Sequence, residues 1–125
     1  MKFEDLEVWR RSARLSADLF TYFAKSRNFV FRDQITKSGL SIASNIAEGC
    51  ERASDREFAR FLKIAKGSCG ELRTQVYVGI EAGCIDSEQG HVWLDECRQI
   101  SRMLYAFIGN LAPHAARPRS QDEPA

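Results

Sequence analysis

Ser54-Asp55-Arg56-Glu57 opens the stretch that decides the fold, and the chain that follows it keeps one rhythm as far as Gly83. Phe58, Leu62, Ala65, Cys69, Leu72, Val76, Gly79 and Gly83 recur in alternating steps of four and three, joined by Phe61 and Ile80. Such spacing puts apolar side chains on one face of a helix with 3.6 residues per turn. Ser54 followed by Glu57 matches a capping box, in which the N-cap hydroxyl and the third residue's carboxylate satisfy each other's orphan backbone donors. The spacing therefore predicts a helix over 55–82, about 42 Å long, closed by Gly83.

The same signals recur downstream. Asp86-Ser87-Glu88-Gln89 reads as a second capping box, and Trp93, Cys97, Ile100, Leu104, Phe107, Ile108 and Leu111 follow it with helical periodicity. Pro113 ends that pattern. Upstream, Val8, Ser12, Leu15, Leu19 and Tyr22, flanked by Leu6, Trp9, Ala13, Phe20 and Phe23, give a broad apolar face to a helix from about Asp5 to Lys25. Glu4, Asp5 and Glu7 near its start and Lys25 and Arg27 past its end suit the helix dipole. Ser26-Arg27-Asn28 reads as a connector. Ile35, Gly39, Ile42 and Ile46 then carry a helix from about Phe31 to Ala47, crowded by Ser38, Ser41, Ala43, Ser44 and Ala47. Small side chains let helices approach closely, and a mid-helix Gly39 costs about 1 kcal/mol relative to Ala, which implies a packing reason. Gly49 reads as the stop signal.

No segment alternates as a strand does, and the connectors are short. Short connectors favour antiparallel neighbours, so the expectation is an all-α, up-down-up-down antiparallel four-helix bundle over 1–112 with a disordered C-terminal tail over 113–125. The composition agrees. All three prolines, Pro113, Pro118 and Pro124, fall after the last helical pattern, and 44% apolar with 28% charged residues is ordinary for a globular chain. Eighteen basic against seventeen acidic residues give a net charge of +1, which excludes a protein basic enough for composition alone to announce nucleic-acid binding. No run reaches the ~20 apolar residues of a membrane span, and the acidic start lacks a secretory signal. The expected location is cytoplasmic, with Cys50, Cys69, Cys84 and Cys97 as small buried hydrophobes rather than disulfide partners.

The basic residues cluster. Arg10 and Arg14 are one turn apart with Arg11 beside them, Arg56, Arg60 and Lys63 form a stripe, and Arg98 and Arg102 repeat the same step. Cations on one face are what phosphate tracking requires, so Arg10, Arg14, Arg56, Arg60 and Lys63 are the candidate nucleic-acid residues. Charge at this spacing also marks an ordinary solvated, salt-bridged face. His91 and Asp95 could supply two metal ligands, but Cys97 points elsewhere and structural zinc takes four, so neither a metal nor a cofactor is expected. Gly67-Ser68-Cys69-Gly70 lacks the Lys-Ser or Lys-Thr end of a phosphate-binding loop. Trp9 and Trp93 anchor a core or a subunit interface, and Gly79-x-x-x-Gly83 is a close-packing or termination signal.

Phe3-Glu4-Asp5-Leu6-Glu7-Val8-Trp9, Gln34-Ile35, Ser41-Ile42-Ala43-Ser44-Asn45-Ile46-Ala47-Glu48-Gly49, Phe58-Ala59-Arg60-Phe61-Leu62 and Ala65-Lys66-Gly67-Ser68-Cys69-Gly70-Glu71-Leu72 together resemble one known family. It is the four-helix-bundle family of proteins encoded by intervening sequences in bacterial 23S ribosomal RNA genes, related to the accessory variability proteins of diversity-generating retroelements. The resemblance extends from Phe3 to about Leu111. It implies a non-enzymatic protein that assembles as a ring-shaped homopentamer. The retroelement relatives bind nucleic acid and a reverse transcriptase through basic surfaces, from which this near-neutral chain departs. The alternative is a structural or adaptor oligomer that binds a protein partner and no nucleic acid. Within the family strings, Asn45 with Glu48 and Ser68 with Glu71 are polar pairs three residues apart. They read as a hydrogen-bonded network fixing helix register, with Glu48 reaching backbone donors near Ser54, or as a polar site between helices whose two acids could exchange protons.

Overall fold

The computed structural model describes residues 1–112; the tail reading for 113–125 lies outside the described residues. A 3-10 turn at Phe3–Asp5 leads into four helices: α1 (Glu7–Tyr22), α2 (Phe29–Cys50), α3 (Asp55–Glu81) and α4 (Ser87–Leu111). Each helix packs on its neighbour in sequence, α1 returns to α4, and the backbones of the diagonal pairs stay more than 8 Å apart. Cross-helix contacts fix the directions. Gly49 at the end of α2 lies against Phe58 and Phe61 at the start of α3, and the end of α1 meets the start of α4 where Tyr22 stacks edge-on to Trp93. The molecule is the antiparallel up-down bundle its periodicity predicts.

The cores of the four stripes are buried as expected: Leu19, Ile35, Ile42, Ile46, Leu62, Leu72, Ile100 and Leu104 are fully excluded from solvent. Burial of each such aliphatic side chain contributes about 1.5–3 kcal/mol to assembly of the bundle. Aromatic contacts close both ends. Tyr22, Phe23, Phe31 and Trp93 cluster at one, and Phe58 meets Phe107 at 5.0 Å at the other. Trp93 is buried, whereas Trp9 is half-buried and packs on Phe3 at 5.0 Å. Cys50, Cys69 and Cys97 are buried thiols and Cys84 is half-buried.

The helix ends differ from the sequence reading in instructive ways. Helix α1 starts at Glu7 because Glu4 and Asp5 are spent in the 3-10 turn. Helix α2 starts two residues early because Asn28, read as connector, caps it by accepting from the Phe31 backbone N–H at 3.3 Å. Both capping boxes are half formed. Ser54 accepts from the Glu57 N–H at 3.2 Å, but the Glu57 carboxylate turns to Arg60. Asp86 accepts from the Gln89 N–H at 3.3 Å, while its own backbone N–H donates to the Tyr22 hydroxyl at 2.9 Å. A tertiary contact thus replaces the return bond of the box.

Gly49 does not stop α2. It is helical and buried, and a Cβ there would stand 2.8 Å from the Phe61 Cβ. It is a point of closest approach between α2 and α3. Gly83 does terminate α3: at φ +77° its N–H reaches the Ile80 carbonyl at 3.1 Å, and the Cys84 N–H reaches the Gly79 carbonyl at 2.8 Å. These are the two bonds of a Schellman motif. Among the described residues, no helix is long and apolar enough to cross a membrane.

Candidate nucleic-acid interface

The five basic residues singled out from the sequence fall on two faces that the fold keeps apart. Arg10 and Arg14 are exposed on α1, Arg56, Arg60 and Lys63 are exposed on α3, and these helices sit diagonally across the bundle. Arg10 donates to the Glu4 carbonyl at 3.0 Å and braces the N-terminal turn. Arg14 borders the α1–α4 groove together with Asp18, Asp95 and Glu96. Arg60 holds Glu57 through two bonds, at 3.1 and 3.3 Å, and covers the Phe61 ring at 4.5 Å. That pairing keeps the Glu57 carboxyl below the usual range and raises the Arg60 guanidinium, each through the shared hydrogen bond. Arg11, beside the candidates in sequence, points into the bundle instead. It binds Glu96 at 2.6 and 2.9 Å and Gln99 at 2.6 Å, tying α1 to α4.

The polar members of the family strings come together in part. The Ser38 hydroxyl donates to Glu71 at 2.9 Å, the Ser41 and Ser68 hydroxyls share a bond of 2.9 Å, and Asn45 donates to the Ser41 carbonyl at 2.8 Å and hydroxyl at 3.0 Å. This strap crosses the α2–α3 seam beside an open groove of about 390 Å³ bordered by Gln34, Lys37 and Gln75. Glu48 stands apart from it. Its carboxylate pairs with Arg52 at 3.4 Å, one turn along, rather than with donors near Ser54. The two glutamates therefore sit in separate surroundings and form no acid–base pair. Ser38 and Ser41 complete the network and were visible beforehand only as crowding small residues; their roles needed the helix register.

His91 and Asp95 do not converge on a common point: His91 Nδ1 contacts the Ser87 carbonyl at 2.7 Å, and Asp95 accepts from Gln99 at 3.1 Å. Among the described residues no group of three or more His, Cys, Asp or Glu is placed to hold a metal ion. Gly67-Ser68-Cys69-Gly70 is mid-helix, where no phosphate-cradling loop exists. Cys69 and Cys97 meet across the α3–α4 seam, the Cys69 thiol donating to the Cys97 carbonyl at 3.1 Å. Contact with Cys69 and burial together raise the Cys97 thiol far above its ordinary range.

A second basic surface, one the sequence left scattered, runs along the outside of this α3–α4 seam. Lys66, Arg73 and Tyr77 follow one another on α3, and Arg98, Arg102 and Tyr105 on α4. Arg98 donates to the Tyr77 hydroxyl at 2.8 Å, which places the two stripes side by side. Lys66, Ser101, Arg102 and Tyr105 border one groove of about 410 Å³. The one-turn step from Arg98 to Arg102 was legible beforehand; its alignment with Lys66 and Tyr77 depended on how α3 and α4 pack.

The fold defines a small antiparallel bundle of four amphipathic helices. The chain belongs to the 23S rRNA-intervening sequence protein family, whose pattern matches residues 4–106. A protein of unknown function from the S23 ribosomal protein family of Bacteroides thetaiotaomicron has a similar crystal structure, with a TM-score of 0.76 and 25% identity over 81% of this chain and 97% of that one. No curated protein matches the chain.

Proposed function

We propose that this protein acts as a non-enzymatic homo-oligomer, a pentamer by its resemblance, that contacts RNA, DNA or a nucleic-acid enzyme through its basic surface. The observation that carries this reading is the distribution of charge: a chain of net charge +1 nevertheless gathers Lys66, Arg73, Arg98 and Arg102 along one seam. No carboxylate among the described residues pairs with any of the four. Self-association is supported by exposed apolar side chains at Phe20, Val30, Leu40 and Val92, which an assembly would cover.

A second reading, an adaptor for a protein partner, is favoured by the offsetting of Arg11 by Glu96, Arg52 by Glu48 and Arg60 by Glu57. Gel shift with structured RNA across a salt series separates the two. Binding that falls steeply with salt supports the nucleic-acid reading, because phosphate contacts release counterions. No binding at low salt refutes it. Arg60→Ala tests whether the α3 stripe takes part: a weaker shift includes it, an unchanged shift confines binding to other cations. Native mass spectrometry tests the pentamer, and a stable monomer refutes that part.

A further inference from the structure

We infer that the α3–α4 face binds single-stranded nucleic acid, with Tyr105 as a stacking platform and Lys66, Arg98 and Arg102 holding the phosphates. This rests on the nucleic-acid reading above and specifies its form. Tyr105 is 73% exposed and Tyr77 48%, so both rings lie open on the surface. Cations surround them. Tyr105 shares its groove with Lys66 and Arg102, and Tyr77 carries Arg98 on its hydroxyl.

Three carboxylates of the same two helices are engaged elsewhere. Glu71 accepts from Ser38 on the α2 side, Glu96 holds Arg11 on the α1 side, and Asp95 accepts from Gln99. From Lys66 to Tyr77 the face is about 16 Å long at the helical rise. Interleaved cations and open rings suit a strand whose bases are unstacked and whose phosphates run alongside. A duplex hides its base faces and could use only the cations.

Fluorescence anisotropy of the full chain tests this with a labelled single-stranded RNA, the same sequence as DNA, and a hairpin of equal length. The expected result is tighter binding of both single strands than of the hairpin. Tyr105→Ala loses about tenfold or more in single-strand affinity, Tyr105→Phe keeps it, and neither changes the weaker hairpin binding. Arg102→Ala weakens all three probes and lowers the slope of log affinity against log salt by about one. Equal binding of hairpin and single strands, with Tyr105→Ala without effect, overturns this inference and leaves the broader reading standing. Failure of every probe at low salt removes both. Native mass spectrometry of Tyr105→Ala covers the remaining case: loss of assembly with affinity retained assigns the face to subunit contact and overturns the proposal.

Discussion

Gly49→Ala should destabilise the bundle although alanine is the better helix former. An added Cβ would lie 2.8 Å from the Phe61 Cβ, 3.0 Å from the Phe58 Cδ1 and 3.2 Å from the Phe58 carbonyl oxygen. Ordinary carbon contacts sit at about 3.5–4.0 Å, so α2 and α3 would have to part by several tenths of an ångström. Rotamer changes cannot relieve this, because one obstacle is a backbone oxygen and another a Cβ. The seam is also the most extensively packed in the molecule, and the strap from Ser38 and Ser41 to Glu71 and Ser68 crosses it. Against a gain of about 1 kcal/mol in helix propensity stands an overpacking cost of roughly 1–3 kcal/mol, and the fixed obstacles put the cost at its upper end. The expected net loss is about 1–2 kcal/mol.

Gly67→Ala is the matched control. It lies in α3 with nothing within 4 Å of the added Cβ, so it should gain about 0.5–1 kcal/mol from propensity alone. Urea denaturation followed by helical circular dichroism, at one fixed protein concentration because assembly would couple to stability, gives both values. A Gly49→Ala variant as stable as the parent or more so refutes the close-approach argument.

Arg11→Met should cost about 1–2 kcal/mol, since it strips Glu96 and Gln99 of a shared donor across the least packed seam, and a double-mutant cycle with Glu96→Gln showing no coupling would contradict this. Asp86→Ala should cost about 1 kcal/mol by denaturant titration, whereas Gln89→Ala should cost under about 0.5 kcal/mol, because the backbone donor that a full capping box would give to Gln89 is taken by Tyr22. Equal losses would mean that the box is complete in solution. Glu57 has its folded-state pKa depressed by Arg60, so the pair adds stability at neutral pH that fades as pH falls through the Glu57 titration. Arg60→Ala should move that titration upward in carboxyl NMR, and an unmoved carboxyl would show that the pair is absent.

The periodic residues of α3 and α4 carried the fold because buried side chains recur with the helix whatever the neighbours are. Leu62, Leu72, Ile100 and Leu104 are therefore as legible in the chain as in the bundle. Local termination signals were legible where their chemistry is local: Ser54 and Asp86 cap, and Gly83 takes the positive φ of a Schellman turn. Gly49 was misread because its reason is not local. A glycine near a helix end looks like a stop until Phe58 and Phe61 are brought against it.

Surface chemistry divides along the same line. The sequence by itself determined four amphipathic helices, their order and the one-turn spacing of arginines on three of them, all of which follow from a single helix's geometry. Only the tertiary structure decided which charges meet. It turned Arg11 inward to Glu96, separated Arg10 and Arg14 from the α3 stripe, and aligned Lys66 and Tyr77 with Arg98, Arg102 and Tyr105. Those pairings depend on the relative rotation and offset of neighbouring helices. Interdigitation of buried side chains sets both, and no spacing within one helix encodes them.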